Sequence, residues 1–190
     1  MPTFPPQSLR GSRFLVPNVY VAVGSNIEPE RNLALATREL EREFPGVRFS
    51  PWYRNRAVGF EGEDFINLVA GFTTELSIQD VVARLHAIET LCGRPRDAPR
   101  WAPRSMDLDV LLYGDLVLDE ARLKLPRPDL LKRAFMLGPL AALAPELVHP
   151  TEKVTIGELW QRFDRIAHPL VEIEATSPRC GHRPRPGSDR

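Results

Sequence analysis

One stretch of the chain, residues 94–113, places two kinds of chemistry side by side and constrains how the rest can fold. Its second half has the pattern of a β-strand, whereas its first half is rich in arginine and too interrupted by proline to form a helix. Alternate residues of a strand face the same side, so the sequence predicts that Asp107 and Asp109 project together. Leu108 and Val110 then face the other side.

Two carboxylates on one face of an otherwise apolar strand are costly unless positive charge accompanies them. A divalent cation fits, because Mg²⁺ takes one or two carboxylates together with substrate phosphate oxygens. Nearby arginines could meet the remaining phosphate charge. They are Arg94, Arg96, Arg100 and Arg104. The stretch therefore indicates phosphoryl-type transfer from a nucleotide. Spacing alone leaves one alternative open, a structural ion network between the two aspartates and the arginines.

Length and composition predict one ordinary globular domain. The chain has 190 residues, with 25 Lys+Arg balanced by 25 Asp+Glu, so no overall charge attracts it to nucleic acid or membrane. Its two cysteines form neither a disulfide framework nor a metal motif. The longest apolar run, residues 134–145, is too short to span a bilayer. We expect a cytoplasmic monomer whose partners are small molecules.

The order of predicted elements indicates the fold class. Strands are predicted over residues 18–23, 47–52 with an open continuation to 54, 65–74 and 106–113. A small hairpin is predicted over 116–125, and helices over 29–44, 77–92, 135–144 and 156–163. The order β-α-β-β-α-β, followed by a mainly helical segment, is typical of an α+β, ferredoxin-like fold with an antiparallel sheet. We expect a loosely ordered arm over residues 1–17, a domain over 18–165 and a Pro/Arg-rich tail over 166–190.

Helical periodicity predicts which side chains enter the core. They are Leu33, Ala36, Leu40 and Phe44 in the first helix, and Val81, Leu85, Ile88 and Leu91 in the second. Ser77 is the expected N-cap of the second helix, and Gly93 its terminator.

Two polar residues, Asn67 and Glu89, have two interpretations each. Asn67 lies in a strand with apolar neighbours, and a buried amide needs partners for its donor and its acceptor. A structural role is favoured, the alternative being a hydrogen bond to the edge of a planar heterocycle. His86 and Glu89 are predicted to lie on the solvated surface of the second helix. Glu89 faces a ligand only if its end of the helix borders the arginine-rich half.

These residues together resemble a known family, the 6-hydroxymethyl-7,8-dihydropterin pyrophosphokinases of folate biosynthesis. The resemblance covers about residues 19–165, and its most specific part is RWAPRSMDLDVL over residues 100–111. Supporting matches are Gly24-Ser25-Asn26, Phe65-Ile66-Asn67, Glu89, Gly93-Arg94 and residues 133–137. The family moves a diphosphate group from ATP to the hydroxymethyl oxygen of the pterin and releases AMP.

The resemblance implies a role for each matching residue. Asp107 and Asp109 would hold two Mg²⁺ ions, with Arg94 and Arg104 also catalytic. The implied pterin contacts are Val58, Phe65, Asn67 and Phe135, the two phenylalanines sandwiching the ring. The implied ATP contacts are His86, Glu89, Arg96, Arg100, Trp101, Val110, Arg122, Lys124, Arg127 and Arg133.

The chain departs from the family pattern on the ATP side. Arg127 stands where the family usually has His, Lys124 replaces a small hydroxyl residue, and His86 replaces a common Gln. Two of these changes add positive charge, so we expect altered nucleotide affinity. Asn55 and Arg56 replace the usual Thr and Pro before the third strand, which leaves pterin contacts from that loop open.

Two other classes of function compete with the enzyme. One is a ferredoxin-like binding module that kept the pocket but lost turnover, against which the intact aspartates argue. The other is an RNA-binding domain, which needs aromatic and basic residues on its sheet face. Two aspartates on the central strand disfavour it.

Overall fold

The computed structural model describes residues 16–56, 63–93 and 105–175. The strands in this part of the chain are β1 (Asn18–Ser25), β2 (Arg48–Phe49), β3 (Trp52–Asn55), β4 (Phe65–Thr73), β5 (Asp107–Tyr113), β6 (Leu118–Asp119), β7 (Lys124–Leu125) and β8 (Val171–Ile173). The helices are α1 (Pro29–Glu43), α2 (Ile78–Leu91), α3 (Ala134–Leu143) and α4 (Ile156–Arg162). The element order predicted from sequence is confirmed through α4.

The sheet has the strand order β5-β1-β4-β3-β8, with β2 also paired to β4, and neighbouring strands in the described residues are antiparallel. β4 returns between β1 and β3, which makes β1-α1-β3 a split βαβ unit. The predicted second strand is divided into β2 and β3 at Ser50-Pro51. The Ser50 hydroxyl accepts a hydrogen bond from Val69 N (2.9 Å) there, so the interruption stays joined to β4. The arrangement confirms the ferredoxin-like α+β fold.

Helices α1 and α2 cover one face of the sheet. The residues of β1 that face them are Val19, Val21 and Val23, none of which is exposed to solvent. The predicted inward residues of α1 and α2 are confirmed except for Leu91, which is 59% exposed. Ser77 caps α2 by accepting from Asp80 N, and Gly93 ends it with a positive φ of 81°, as predicted.

The opposite face packs against α3 and α4. Tyr20 and Ala22 of β1 and Val69 of β4 form a second apolar cluster with these helices. Gly138 allows the close approach, because a Cβ built there would lie 2.8 Å from Leu170 Cδ2 and 3.0 Å from the Trp160 ring. The sheet is therefore a middle layer, and residues 19–23 of β1 belong alternately to one of two cores.

Three sequence expectations need correction. Leu91 is exposed because it lies at the last position of α2, beyond the sheet contact. Glu89 was expected at the surface but is buried. Strand β8, which pairs with β3, lies within residues 166–190, which were expected to form a tail.

Cys92 is a buried free thiol, and burial raises its pKa to about 11, which favours the protonated form.

Candidate active site

The two aspartates lie on β5, which is an edge strand of the sheet and not the central strand expected from sequence, on the face that carries α3. Asp107 is opposite Gly24 in the β1–β5 register, and Asp109 is opposite Ala22. Gly24 is in turn opposite Asn67 of β4. Residues paired across antiparallel strands project to the same side. The register therefore brings Asn67 and the aspartate pair together along the end of β1, as the alternation in β5 predicts.

Asn67 is held by polar and steric contacts. Its Nδ2 donates to Asn55 Oδ1 at 2.6 Å, which joins the ends of β4 and β3. Its Oδ1 lies against the backbone of Gly24, in the space that an added Cβ would need. The ring of Phe65 is 4.0 Å from the same position. Gly24 is thus the residue that lets an amide and an aromatic ring meet over β1.

Asp109 forms an ion pair with Arg127, in which Nη2 and Oδ2 are 2.8 Å apart. Both side chains are partly shielded, with exposed fractions of 31% for Arg127 and 23% for Asp109. The backbone of Arg127 is fixed to the same strand, because its N–H donates to Leu111 O at 2.9 Å. The sequence placed Arg127 on the nucleotide side and did not predict this pair.

Glu89 reaches β5 from α2. Its Oε1 accepts a hydrogen bond from Leu108 N at 2.9 Å, and its side chain is 6% exposed. Leu108 is the residue between the two aspartates, so Glu89 fixes the backbone from which both project. Periodicity alone gave no sign of this, because the contact joins residues from two separate elements.

The remaining predicted site residues in the described part of the chain differ in exposure and in their partners. Arg133 is the N-cap of α3, and Phe135, in the first turn, is half-buried. His86 and Arg122 are exposed, and Lys124 pairs with Asp119 at 2.5 Å. The Val110 side chain lies in the core under α1 and α2, on the face opposite Asp109. Only its backbone could contact a ligand beside the aspartates.

Six predicted site residues lie outside the described residues. They are Val58, Arg94, Arg96, Arg100, Trp101 and Arg104. The alternative ion network with Arg100 and Arg104 falls there as well.

The donor set of the described residues can be tested against a divalent cation. No group of three or more His, Cys, Asp or Glu side chains that could hold a metal occurs in residues 16–56, 63–93 and 105–175. Two carboxylates on adjacent same-face positions remain. This set does not fit a zinc or calcium cage, but it fits Mg²⁺, which usually takes one or two carboxylates and completes its shell with water and phosphate oxygens.

A separate groove of about 510 Å³ opens between α1 and the β3–β8 edge. Trp52, Phe49 and Ile173 line it, and none of the predicted site residues that the structure describes does. It lies at the β3–β8 edge of the sheet, whereas Asp107 and Asp109 lie on β5 at the opposite edge. Within the described part of the chain, no helix is long and apolar enough to cross a membrane.

Comparison with known proteins gives a consistent set of relatives. Residues 20–145 match the model of the family described as 7,8-dihydro-6-hydroxymethylpterin-pyrophosphokinase (HPPK). A 2-amino-4-hydroxy-6-hydroxymethyldihydropteridine pyrophosphokinase from Pseudomonas aeruginosa is 44% identical over 140 residues, covering 72% of this chain and 86% of the relative. A protein of the same name from Synechocystis is 39% identical over 166 residues, covering 86% and 81%.

Solved structures agree on the fold. The crystal structure of Plasmodium falciparum HPPK-DHPS aligns with a TM-score of 0.61 at 14% identity, covering 80% of this chain. The present chain spans 42% of that longer chain. At this identity the likeness concerns the fold alone.

Proposed function

Because the chain belongs to the 7,8-dihydro-6-hydroxymethylpterin-pyrophosphokinase family, we propose how its residues divide the work of the family reaction. The enzyme transfers diphosphate from ATP to the hydroxymethyl group of 6-hydroxymethyl-7,8-dihydropterin in folate biosynthesis. The observation that carries the proposal is the shared face of Asp107, Asp109 and Asn67 at the end of β1.

Asp107 and Asp109 would hold the Mg²⁺ ions. Bound there, Mg²⁺ supplies neutralisation of the phosphate charge and orientation of the two reacting groups. The protein holds the backbone of both aspartates in place, because Leu108 between them is hydrogen-bonded to Glu89 and β5 is paired with β1. Transfer of this kind asks for positioning and charge neutralisation more than for covalent chemistry.

Asn67 and Phe65 would receive the pterin. An amide presents a donor and an acceptor that match the edge of a pterin ring, and an aromatic ring can stack on its face. Asn55 restrains the Asn67 amide through one of its donors, which favours a single orientation. Phe135, in the first turn of α3, would supply the second stacking surface.

Arginines would meet the triphosphate. Six arginines keep the nucleotide roles that the family resemblance implies: Arg122 and Arg133 among the described residues, and Arg94, Arg96, Arg100 and Arg104 in residues 94–113. Trp101, His86 and Lys124 keep their predicted ATP contacts as well. A cytoplasmic location, a monomeric state and the absence of nucleic-acid partners also stay predictions.

The proposal is tested by the products and by metal binding of carboxylate variants. We expect the protein with ATP, Mg²⁺ and the hydroxymethyl dihydropterin to form AMP rather than ADP. Asp107→Asn and Asp109→Asn should each lower turnover about a hundredfold or more, because charge neutralisation at the phosphates is lost. Titration with Mn²⁺, followed by the electron paramagnetic resonance signal of the free ion, should show weaker binding in both variants.

Asp115→Asn is the matched control, since Asp115 is an exposed carboxylate in the turn just after β5. It should keep the parent's turnover and Mn²⁺ affinity. Near-normal turnover of Asp109→Asn at saturating Mg²⁺ would refute the metal assignment of Asp109.

A further inference from the structure

Arg127 is held beside Asp109 both by its backbone and by its side chain. Its N–H donates to Leu111 O, and its carbonyl accepts from Leu130 N at 3.0 Å. These bonds hold its Cα beside β5, two residues along the strand from Asp109. From this position the side chain reaches Asp109, so that Nη2 of Arg127 lies 2.8 Å from Oδ2 of Asp109. The ion pair is therefore set by fixed backbone on both sides.

The guanidinium competes with a metal ion for Asp109 Oδ2, which its Nη2 contacts at 2.8 Å. A Mg²⁺ ion bound to that oxygen would lie close to the guanidinium, and the two positive charges repel each other at short distance. Arginine does not lose its proton in proteins. The only way for Arg127 to release Oδ2 is to move its side chain away.

The ion pair also leaves Arg127 incompletely satisfied. Its Nε is buried and has no hydrogen-bond partner among the described residues. A buried donor without an acceptor is unfavourable, and phosphate oxygens can accept from two N–H groups of one guanidinium. Since the side chain is 31% exposed, it has an open side toward which it can move.

We propose that Arg127 is a resident counter-ion of Asp109 in the nucleotide-free enzyme, and that the cation displaces it onto the nucleotide phosphates. This inference rests on the proposed metal role of Asp109. The exchange makes cation binding unfavourable without nucleotide, because Arg127 then loses its only described carboxylate partner. With nucleotide present, a phosphate replaces that partner, so the two ligands bind with positive coupling. Arg127 is here a positioning residue for the metal.

The test is a Mn²⁺ titration with and without a non-reactive nucleotide, α,β-methylene-ATP. Arg127→Gln removes the charge at similar length, and we expect it to bind Mn²⁺ alone about three- to tenfold more tightly than the parent, the size of one partly shielded ion pair. The increase in Mn²⁺ affinity caused by the nucleotide should shrink by a similar factor. Arg127→Lys keeps the charge and should bind Mn²⁺ alone within about twofold of the parent.

Arg84→Gln is the matched control. Arg84 forms an ion pair of 3.0 Å with Glu43 between α2 and α1, and its side chain is also partly exposed. Its loss should leave the Mn²⁺ affinity unchanged.

Two results would overturn the inference: no gain of Mn²⁺ affinity in Arg127→Gln, or an equal gain in Arg127→Lys. Asp109→Asn separates the inference from the proposed function. If that variant binds Mn²⁺ as well as the parent, the metal role itself fails and the inference fails with it. If Asp109→Asn loses Mn²⁺ and Arg127→Gln gains none, only the exchange is wrong.

Discussion

Glu89 links the second helix to the strand that carries the aspartate pair, and it does so through one backbone amide. Its carboxylate is buried, accepts from Leu108 N, and lies on the face of β5 opposite the two aspartates. A buried carboxylate is retained where its hydrogen bonds compensate for the loss of water. We therefore expect Glu89 to matter for both stability and the geometry of the site.

Replacing Glu89 by Ala should lower the free energy of unfolding by about 1–3 kcal/mol, because the buried Leu108 N–H is left without its acceptor. Glu89→Gln keeps a carbonyl oxygen at the same length and should lose less. Urea denaturation measures both changes, and turnover should fall in the same order.

His86→Ala is the control for this stability effect, since His86 lies one turn earlier on α2 and is exposed. Its free energy of unfolding should stay within about 0.5 kcal/mol of the parent. If Glu89→Ala were as stable as His86→Ala, the hydrogen bond to Leu108 would have no structural weight.

At this scale, the sequence predicted contacts within an element better than contacts between elements. Strand alternation alone placed Asp107 and Asp109 on one face, and the register confirms it. The same reasoning assigned Glu89 to the surface, because the polar side of a helix is normally solvated. Arg127 was assigned to the nucleotide side without its pairing to Asp109. The Glu89–Leu108 and Arg127–Asp109 contacts each join residues far apart in sequence, and periodicity within one element cannot predict such contacts.

Among the elements, the loop between α3 and α4 carries the clearest pH dependence. It is closed by a bridge between Val148 and Thr155 and by His149 N donating to Val154 O at 2.9 Å. The His149 ring is 2% exposed, and its Nδ1 accepts from Glu152 N at 3.3 Å. Burial lowers the pKa of His149 below its usual range, and the charge of Glu152 opposes part of that lowering.

The sign of the pH effect follows from the direction of that shift. The folded state favours neutral His149, whose pKa in the unfolded chain is about 6.5. Its contribution to stability is complete above pH 6.5 and is lost as pH falls from there toward the lower pKa of the folded state. The free energy of unfolding should therefore decrease below pH 6.5, by at most about 1.4 kcal/mol per pH unit from this one group.

Urea denaturation of the parent and of His149→Gln between pH 8 and pH 5 isolates this contribution, because the other titrating groups cancel in the difference. We expect the stability advantage of the parent to shrink as the pH is lowered. A constant difference over the whole range would show that His149 does not titrate with unfolding.

Most elements could be predicted because their signals are local. α1 begins at Pro29 and α2 at a Ser77 cap, both of which the sequence shows directly. β8 could not be predicted, because a strand of three residues has too few positions for alternation to be recognised. It forms by pairing with the edge of β3, which lies far away in the sequence, so local sequence patterns cannot predict it.

At the scale of the whole molecule, residues 166–175 join the two cores to the outer edge of the sheet. Ile173 pairs with Trp52 and packs against the first core, while Leu170 contacts Gly138 of α3 on the other face. Tyr53 Oη donates to Glu172 Oε2 at 3.2 Å. Burial, with the charge of Glu172, raises the pKa of Tyr53 to about 12. The domain predicted over residues 18–165 would end before all of these contacts.

Two shortened chains test where the domain ends, one stopping after Arg165 and one after Ala175. They differ only in residues 166–175, so their comparison isolates β8 and Leu170. We expect the shorter chain to unfold with a free energy about 2–4 kcal/mol lower, because the apolar contacts of Leu170 and Ile173 are lost and Trp52 becomes exposed. Urea denaturation measures this, and the tryptophan fluorescence of the shorter folded chain should shift to longer wavelength. Equal unfolding free energies would instead support a boundary at residue 165. That result would mean that β8 adds to the sheet without stabilising it.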